Sequence, residues 1–137
     1  VTASGMKLSM MIILGLAGAE GSERHALATA KAINIIKPTH LSALCLMLYR
    51  GSELLDQYEA GKFNPLSPAG LMQELKLIIE NIDLPADRHC LFRSNHVSNY
   101  VQLAATLPHD KHRLLRDIDY SIAQLSKLKS WDVYNYN

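Results

Sequence analysis

The chain has 137 residues, 48% of them apolar and 20% charged, with a formal net charge of +1. That length suffices for one domain with a real core, and the composition is that of an ordinary globular protein. The balanced charge, with basic residues scattered singly, gives no footprint for nucleic acid or for an anionic membrane surface. The apolar runs, Met10 to Leu14 and Ala43 to Tyr49, are far too short to span a bilayer. No charged n-region with an apolar stretch and a cleavage site is readable near Val1, so a cytoplasmic location is expected. Cys45 and Cys90 both sit in apolar, strand-like surroundings and read as reduced core thiols.

In chain order, Lys7 to Leu14 reads as a strand, and its continuous apolar character suggests cover on both faces. Gly15 to Gly18 end it. A helix is expected from Ser22 as N-cap, with Leu27, Ala30, Ile33 and Ile36 or Asn34 on its apolar face and Pro38 as its stop. Thr39 to Leu48 is a second apolar strand, which makes a βαβ unit with parallel strands. A short helix from Glu53 to Ala60 closes on Gly61. Ser67 and Pro68 form an N-cap and first-turn pair. Leu71, Met72, Leu75, Ile78, Ile79 and Ile82 then make the clearest amphipathic stripe, ended by Pro85. His89 to Phe92 reads as a third strand. A polar loop runs to Leu107. Pro108 opens a last helix to about Leu128, burying Leu114, Leu115, Ile118, Ile122 and Leu125. The tail from Ser130 reads as frayed.

Three features carry candidate chemistry. The first is Gly15-Leu16-Ala17-Gly18-Ala19-Glu20-Gly21, between a strand and a helix. Free N–H groups gather at such a place and suit an anion or a nucleotide-like ligand. It lacks a dinucleotide fingerprint and a phosphate-loop lysine, and a plain strand-to-helix turn is the stronger reading of the residues alone. The second is Arg93-Ser94-Asn95-His96-Val97-Ser98-Asn99-Tyr100, where every residue but Val97 carries a polar group. A site at a strand end and a loop that satisfies its own backbone both fit this composition. A hydrolytic triad of Ser94 or Ser98 with His96 and Asp110 has no nucleophile elbow behind it. The third is His89, Cys90 and His96 as metal ligands. Neighbours on a strand point to opposite faces, so this spacing does not suit one ion.

Three blocks together resemble a known family. They are Met11 to Gly18; Pro38-Thr39-His40-Leu41-Ser42-Ala43-Leu44 with Arg50-Gly51-Ser52-Glu53-Leu54; and Phe92 to Tyr100 with Leu107-Pro108-His109-Asp110-Lys111. In this order they look like the C-terminal half of a radical S-adenosylmethionine protein. The nearest group is the bacterial iron–sulfur oxidoreductases related to oxygen-independent coproporphyrinogen III oxidase. The likeness runs over roughly residues 5 to 125, and its third block is the most specific.

The resemblance implies an α/β fold that is the C-terminal fragment of a partial (β/α) TIM-like barrel. Parallel strands alternate with helices, and a helical extension follows. Residues 1–48 would be the last barrel βαβ, 49–128 the extension and 129–137 the tail of a single domain. Family enzymes hold a 4Fe–4S cluster on Cys-x3-Cys-x2-Cys and cleave S-adenosylmethionine to abstract hydrogen from a small-molecule substrate. Two distant cysteines cannot supply that loop. The chain is therefore expected to be a piece of something longer, to bind neither cluster nor cofactor alone, and to be inactive alone. Ile13 matches the family's adenine contact, Gly15 the close backbone approach and, less directly, Met47 the second strand's contact. Arg93, Asn95, His96 and Asn99 match the subgroup's polar block and are expected at the barrel mouth, on substrate or closing the cleft. Ala17 departs from the glycine–leucine–proline–glycine turn common in the family. An uncovered strand edge is expected to drive self-association. Two further readings are a non-catalytic α/β binding module and a small hydrolase using His96.

Overall fold

Alternating apolar strands and amphipathic helices assemble into a mixed α/β fold. The computed structural model describes residues 2–127, and the expected tail lies outside them. In order the elements are β1 (Ser9–Leu14), α1 (Gly18–Ile36), β2 (His40–Cys45), α2 (Glu53–Glu59), α3 (Pro68–Asn81), β3 (Cys90–Arg93), β4 (Ala104–Leu107) and α4 (Lys111–Leu125). They build one open four-stranded sheet in the order β1-β2-β3-β4. The first three strands are parallel and β4 is antiparallel to β3. No described helix is long and apolar enough to cross a membrane.

Period-two alternation decides which side of the sheet is buried. Ile12 and Leu14, then Leu41, Ala43 and Cys45, then Cys90 and Phe92, then Ala105 and Leu107 all enter one core. Helices α1, α3 and α4 supply its other half. Helix α3 lies in the middle of that layer, between α1 and α4. Its stripe is buried as its spacing requires, from Leu71 to Ile82. Ser67 caps it, accepting the Gly70 N–H at 3.1 Å, with Pro68 in the first turn.

The opposite face of the sheet is bare. Met11 is 72% exposed and Ile13 41%, so β1 is covered on one face and not on two. Its apolar run is expected to be covered on both faces; here α1, α3 and α4 all cover the same one. Strand β1 also forms an edge of the sheet. Beside that edge runs a groove lined by Met10, Met11, Ile13, Leu16, Ala28 and Ala32.

Five expectations need correction. Helix α1 starts at Gly18 rather than after Ser22, because its first N–H groups find distant acceptors: Ala19 N–H donates to the Asn64 carbonyl at 2.8 Å. Leu27 and Ile36 are exposed, and Ala26 with Ala30 and Ile33 makes the buried face instead. Strand β2 stops at Cys45, which leaves Met47 beyond it. The loop before Leu107 contains β4, an additional strand, and α4 begins at Lys111 rather than at Pro108.

Truncating Phe92, fully buried at the centre of this layer, should cost about 3–5 kcal/mol in urea unfolding, whereas Met11→Ser on the bare face should change stability by about 0.5 kcal/mol or less. Equal effects would contradict a one-sided core.

Candidate functional site

The parallel strands all end on the same side, and there the chain forms a cleft of about 200 Å³. Ligands of open parallel sheets gather at that end, where loops diverge from the strands. Ile13, Leu44, Met47, Tyr49, His96 and Ser98 line it. Ile13 and Leu44 are register partners on the bare face. Tyr49 donates its hydroxyl to Met47 Sδ at 3.2 Å. The wall is mostly apolar, with His96 on one side. A complete small-molecule pocket is usually roughly 300–1,000 Å³, so the described residues make one wall of a site rather than an enclosure.

His96 reaches the cleft because the polar block is anchored beneath it. Strand β3 pairs with β2 only as far as Ser42. Past that point Asn99 takes the place of a neighbouring strand. Its Nδ2 donates to the Ala43 carbonyl at 2.7 Å, and its Oδ1 accepts the Cys45 N–H at 2.9 Å. Bonds to residues i and i+2 are what one residue of a parallel strand would make. Ser98 Oγ lies 3.2 Å from both the Cys45 nitrogen and Asn99 Oδ1, and 2.8 Å from His96 Nδ1. The Ser98 N–H also donates to Nδ1 at 3.1 Å. A neutral His96 ring therefore accepts at Nδ1 and carries its proton on Nε2. Ser94 joins the block to its return strand, accepting the Leu103 N–H at 2.9 Å.

The sequence-derived residues thus divide. Ile13, Met47 and His96 come together around one cleft. Gly15 is buried with φ of 83°, and a Cβ there would meet Leu71 Cδ2 at 2.8 Å. Its missing side chain serves packing against α3. Asn99 and Ser94 do backbone work. The Arg93 guanidinium donates Nη1 to the Phe92 carbonyl at 2.7 Å and to Ala105 at 3.4 Å, on an otherwise exposed side chain. Asn95 is exposed beside it. The hydrolytic arrangement does not assemble. Asp110 accepts the Thr106 N–H at 2.9 Å and pairs with Arg113, and the Thr106 bond with Arg113 holds its carboxyl below the usual range. Ser98 is buried with its hydroxyl already engaged.

One group escaped sequence reasoning. Glu74 on α3 is buried, with 0% of its side chain exposed. Gly15 N–H donates to Oε1 at 2.9 Å, Ser22 Oγ to Oε2 at 2.6 Å, and His25 Nδ1 lies 3.0 Å from Oε1. Ser22, expected as an N-cap, is a Glu74 ligand instead. The signal was present: Glu74 sits three residues after Leu71 and four before Ile78, inside the apolar stripe.

Burial pushes both thiols up to about 11; at Cys45 a backbone hydrogen bond involving Tyr100 opposes this and the Glu74 charge adds to it. Among the described residues no three His, Cys, Asp or Glu side chains gather as a metal ion would need. No protein-family model, curated protein or solved structure matches the chain.

Two outcomes follow. Asn99→Ala strands the Ala43 carbonyl and leaves the Cys45 N–H only the Ser98 hydroxyl, and should cost about 1–3 kcal/mol in urea unfolding, while Asn95→Ala should stay within about 0.5 kcal/mol. For the thiols, a folded value above the unfolded one favours the folded state only while the sulfur is protonated. Their contribution is therefore complete below pH 9.0 and is lost as pH rises toward about 11. A pH series of unfolding midpoints, compared with a double Cys→Ala variant, reads this directly.

Proposed function

We propose that this chain is the C-terminal part of a cytoplasmic radical S-adenosylmethionine iron–sulfur oxidoreductase, contributing the closing strands of a partial (β/α) barrel. The observation that carries the proposal is the apolar cleft at the strand ends, where Ile13, Met47 and His96 meet. The parallel pairing of β1 with β2 brings Ile13 and Met47 together, and His96 joins them from the polar loop, about fifty residues further along the chain. Helices on one face, a bare opposite face and a free β1 edge are also what a segment of barrel wall needs.

In this reading Ile13, Leu44 and Met47 offer an apolar bed for the adenine of S-adenosylmethionine, with the His96 Nε2–H as a donor at the rim. Arg93 and Asn95 face the barrel mouth, where a small-molecule substrate enters. The cluster has no ligands on the described residues, because Cys45 and Cys90 are both buried and stand without a third partner. Its cysteines belong to another part of the parent protein. A cluster held there would supply the electron for reductive cleavage of S-adenosylmethionine. The residues here bind, orient and exclude water.

A second reading, an α/β binding module without catalysis, draws on the polar block, since Ser94, Ser98 and Asn99 are already engaged with backbone.

The test is anaerobic reconstitution, with iron and sulfide, of the full polypeptide that carries this chain. Brown iron–sulfur absorbance and release of 5′-deoxyadenosine from S-adenosylmethionine under dithionite are expected. Ile13→Asp should weaken S-adenosylmethionine binding by about tenfold or more, by placing a charge in the apolar bed. A polypeptide without the three-cysteine loop, or without cleavage, would leave the binding module standing. The 137-residue chain by itself should self-associate through the β1 edge, and Met11→Lys should reduce this in light scattering. A monomer at every concentration contradicts that.

A further inference from the structure

We infer that the glycine turn after β1 is an anion cradle filled from within, and that Glu74 is the positioning residue that holds the cleft wall through it. The turn gathers donors as an anion-binding loop does: Gly15 N–H, the Ser22 hydroxyl and His25 Nδ1 converge on one point. A carboxylate from α3 already stands at that point. Gly18 N–H is spent on the Gly15 carbonyl at 3.0 Å and Ala19 N–H on Asn64, which leaves neither for an outside anion. The cradle therefore serves geometry.

What it holds is the cleft. Gly15 follows Leu14, which is wholly buried, and Leu14 follows Ile13, which lines the cleft from the other side of the strand. A peptide fixed at Gly15 fixes the last turn of β1 and with it the direction of Ile13. Two further restraints act on the same turn. Leu71 fills the space where a Gly15 Cβ would be, and Phe63 with the Asn64 carbonyl does so at Gly18, whose φ is 70°. Both come from chain around α3, so helix and carboxylate grip the turn together. Without the carboxylate, the three donors would be left facing a cavity at the end of an edge strand. Such a strand has a neighbour on one side only to keep it in place.

A carboxylate that merely joins α1 to α3 would affect stability alone. A positioning carboxylate also loosens the Gly15 turn and the cleft wall beyond what the rest of the core loses. The ligand readout rests on the function proposed above; two others do not. Glu74→Ala is expected to speed hydrogen exchange of the Gly15 amide, and added formate is expected to restore its protection by refilling the cradle. In the full reconstituted protein the same variant should bind S-adenosylmethionine about tenfold more weakly, again recovered by formate, whereas Glu74→Gln keeps an acceptor for Gly15 N–H and should stay within a fewfold of the parent. If Glu74→Ala does not fold, Ser22→Ala removes one donor from a half-buried position. It should raise Gly15 exchange severalfold with the remaining core amides unchanged. Unchanged Gly15 exchange in the folded variant, or loss of protection that spreads evenly over the core and ignores formate, overturns the inference. Normal Gly15 behaviour as described, with no S-adenosylmethionine binding by the unsubstituted protein, overturns the proposed function and leaves the cradle intact.

Discussion

One-sided burial of the sheet is the constraint on which the rest depends. Strands β1, β2 and β3 turn alternate side chains toward α1, α3 and α4, and the core lies wholly between these two layers. Helix α3 is central because it meets α1 on one flank and α4 on the other. With the helices confined to one side, strand ends and their loops are left to build whatever lies above the sheet. The cleft arises there, against a face that keeps Met11 and Ile13 open to solvent.

Staggered strand lengths then create a shared problem. Strand β3 stops short of the end of β2, and β1 ends without a neighbour on its outer side. Two polar side chains from distant parts of the chain complete these ends. Asn99 takes the Ala43 carbonyl and the Cys45 N–H, and Glu74 takes the Gly15 N–H. Buried backbone groups demand partners, and here side chains provide them where a ladder cannot. Both devices lie directly beneath cleft-lining residues, so completing the strands and shaping the cleft are one act.

Much of this was legible. The βαβ unit, the capped α3 and its apolar stripe follow from period and punctuation, because each depends on residues close in sequence. The start of α1 was not, since its first N–H groups are met by Asn64 and its neighbouring turn by Glu74, both far along the chain. Strand β4 was hidden because Ala104 to Leu107 has weak strand character of its own; pairing with β3 makes it a strand. The polar block was visible as a dense set of donors and acceptors. Local composition could not assign His96 to the cleft and Asn99 to the backbone, because that division depends on where β2 outruns β3. Ser94, Ser98 and Asn99 satisfy backbone groups, as a self-satisfying loop would, while His96 lines the cleft.

Asn99 also acts as a ruler. Its amide must arrive beside Ala43 and Cys45 while Arg93 is held beside Ser42, so both ends of the interval between Arg93 and Asn99 are pinned to neighbouring positions of β2. The exposed residues between them bulge outward, and it is this bulge that carries His96 to the cleft. The exposed stretch from Pro85 to His89, which enters the same strand from the other end, carries no side chain that completes a strand in this way.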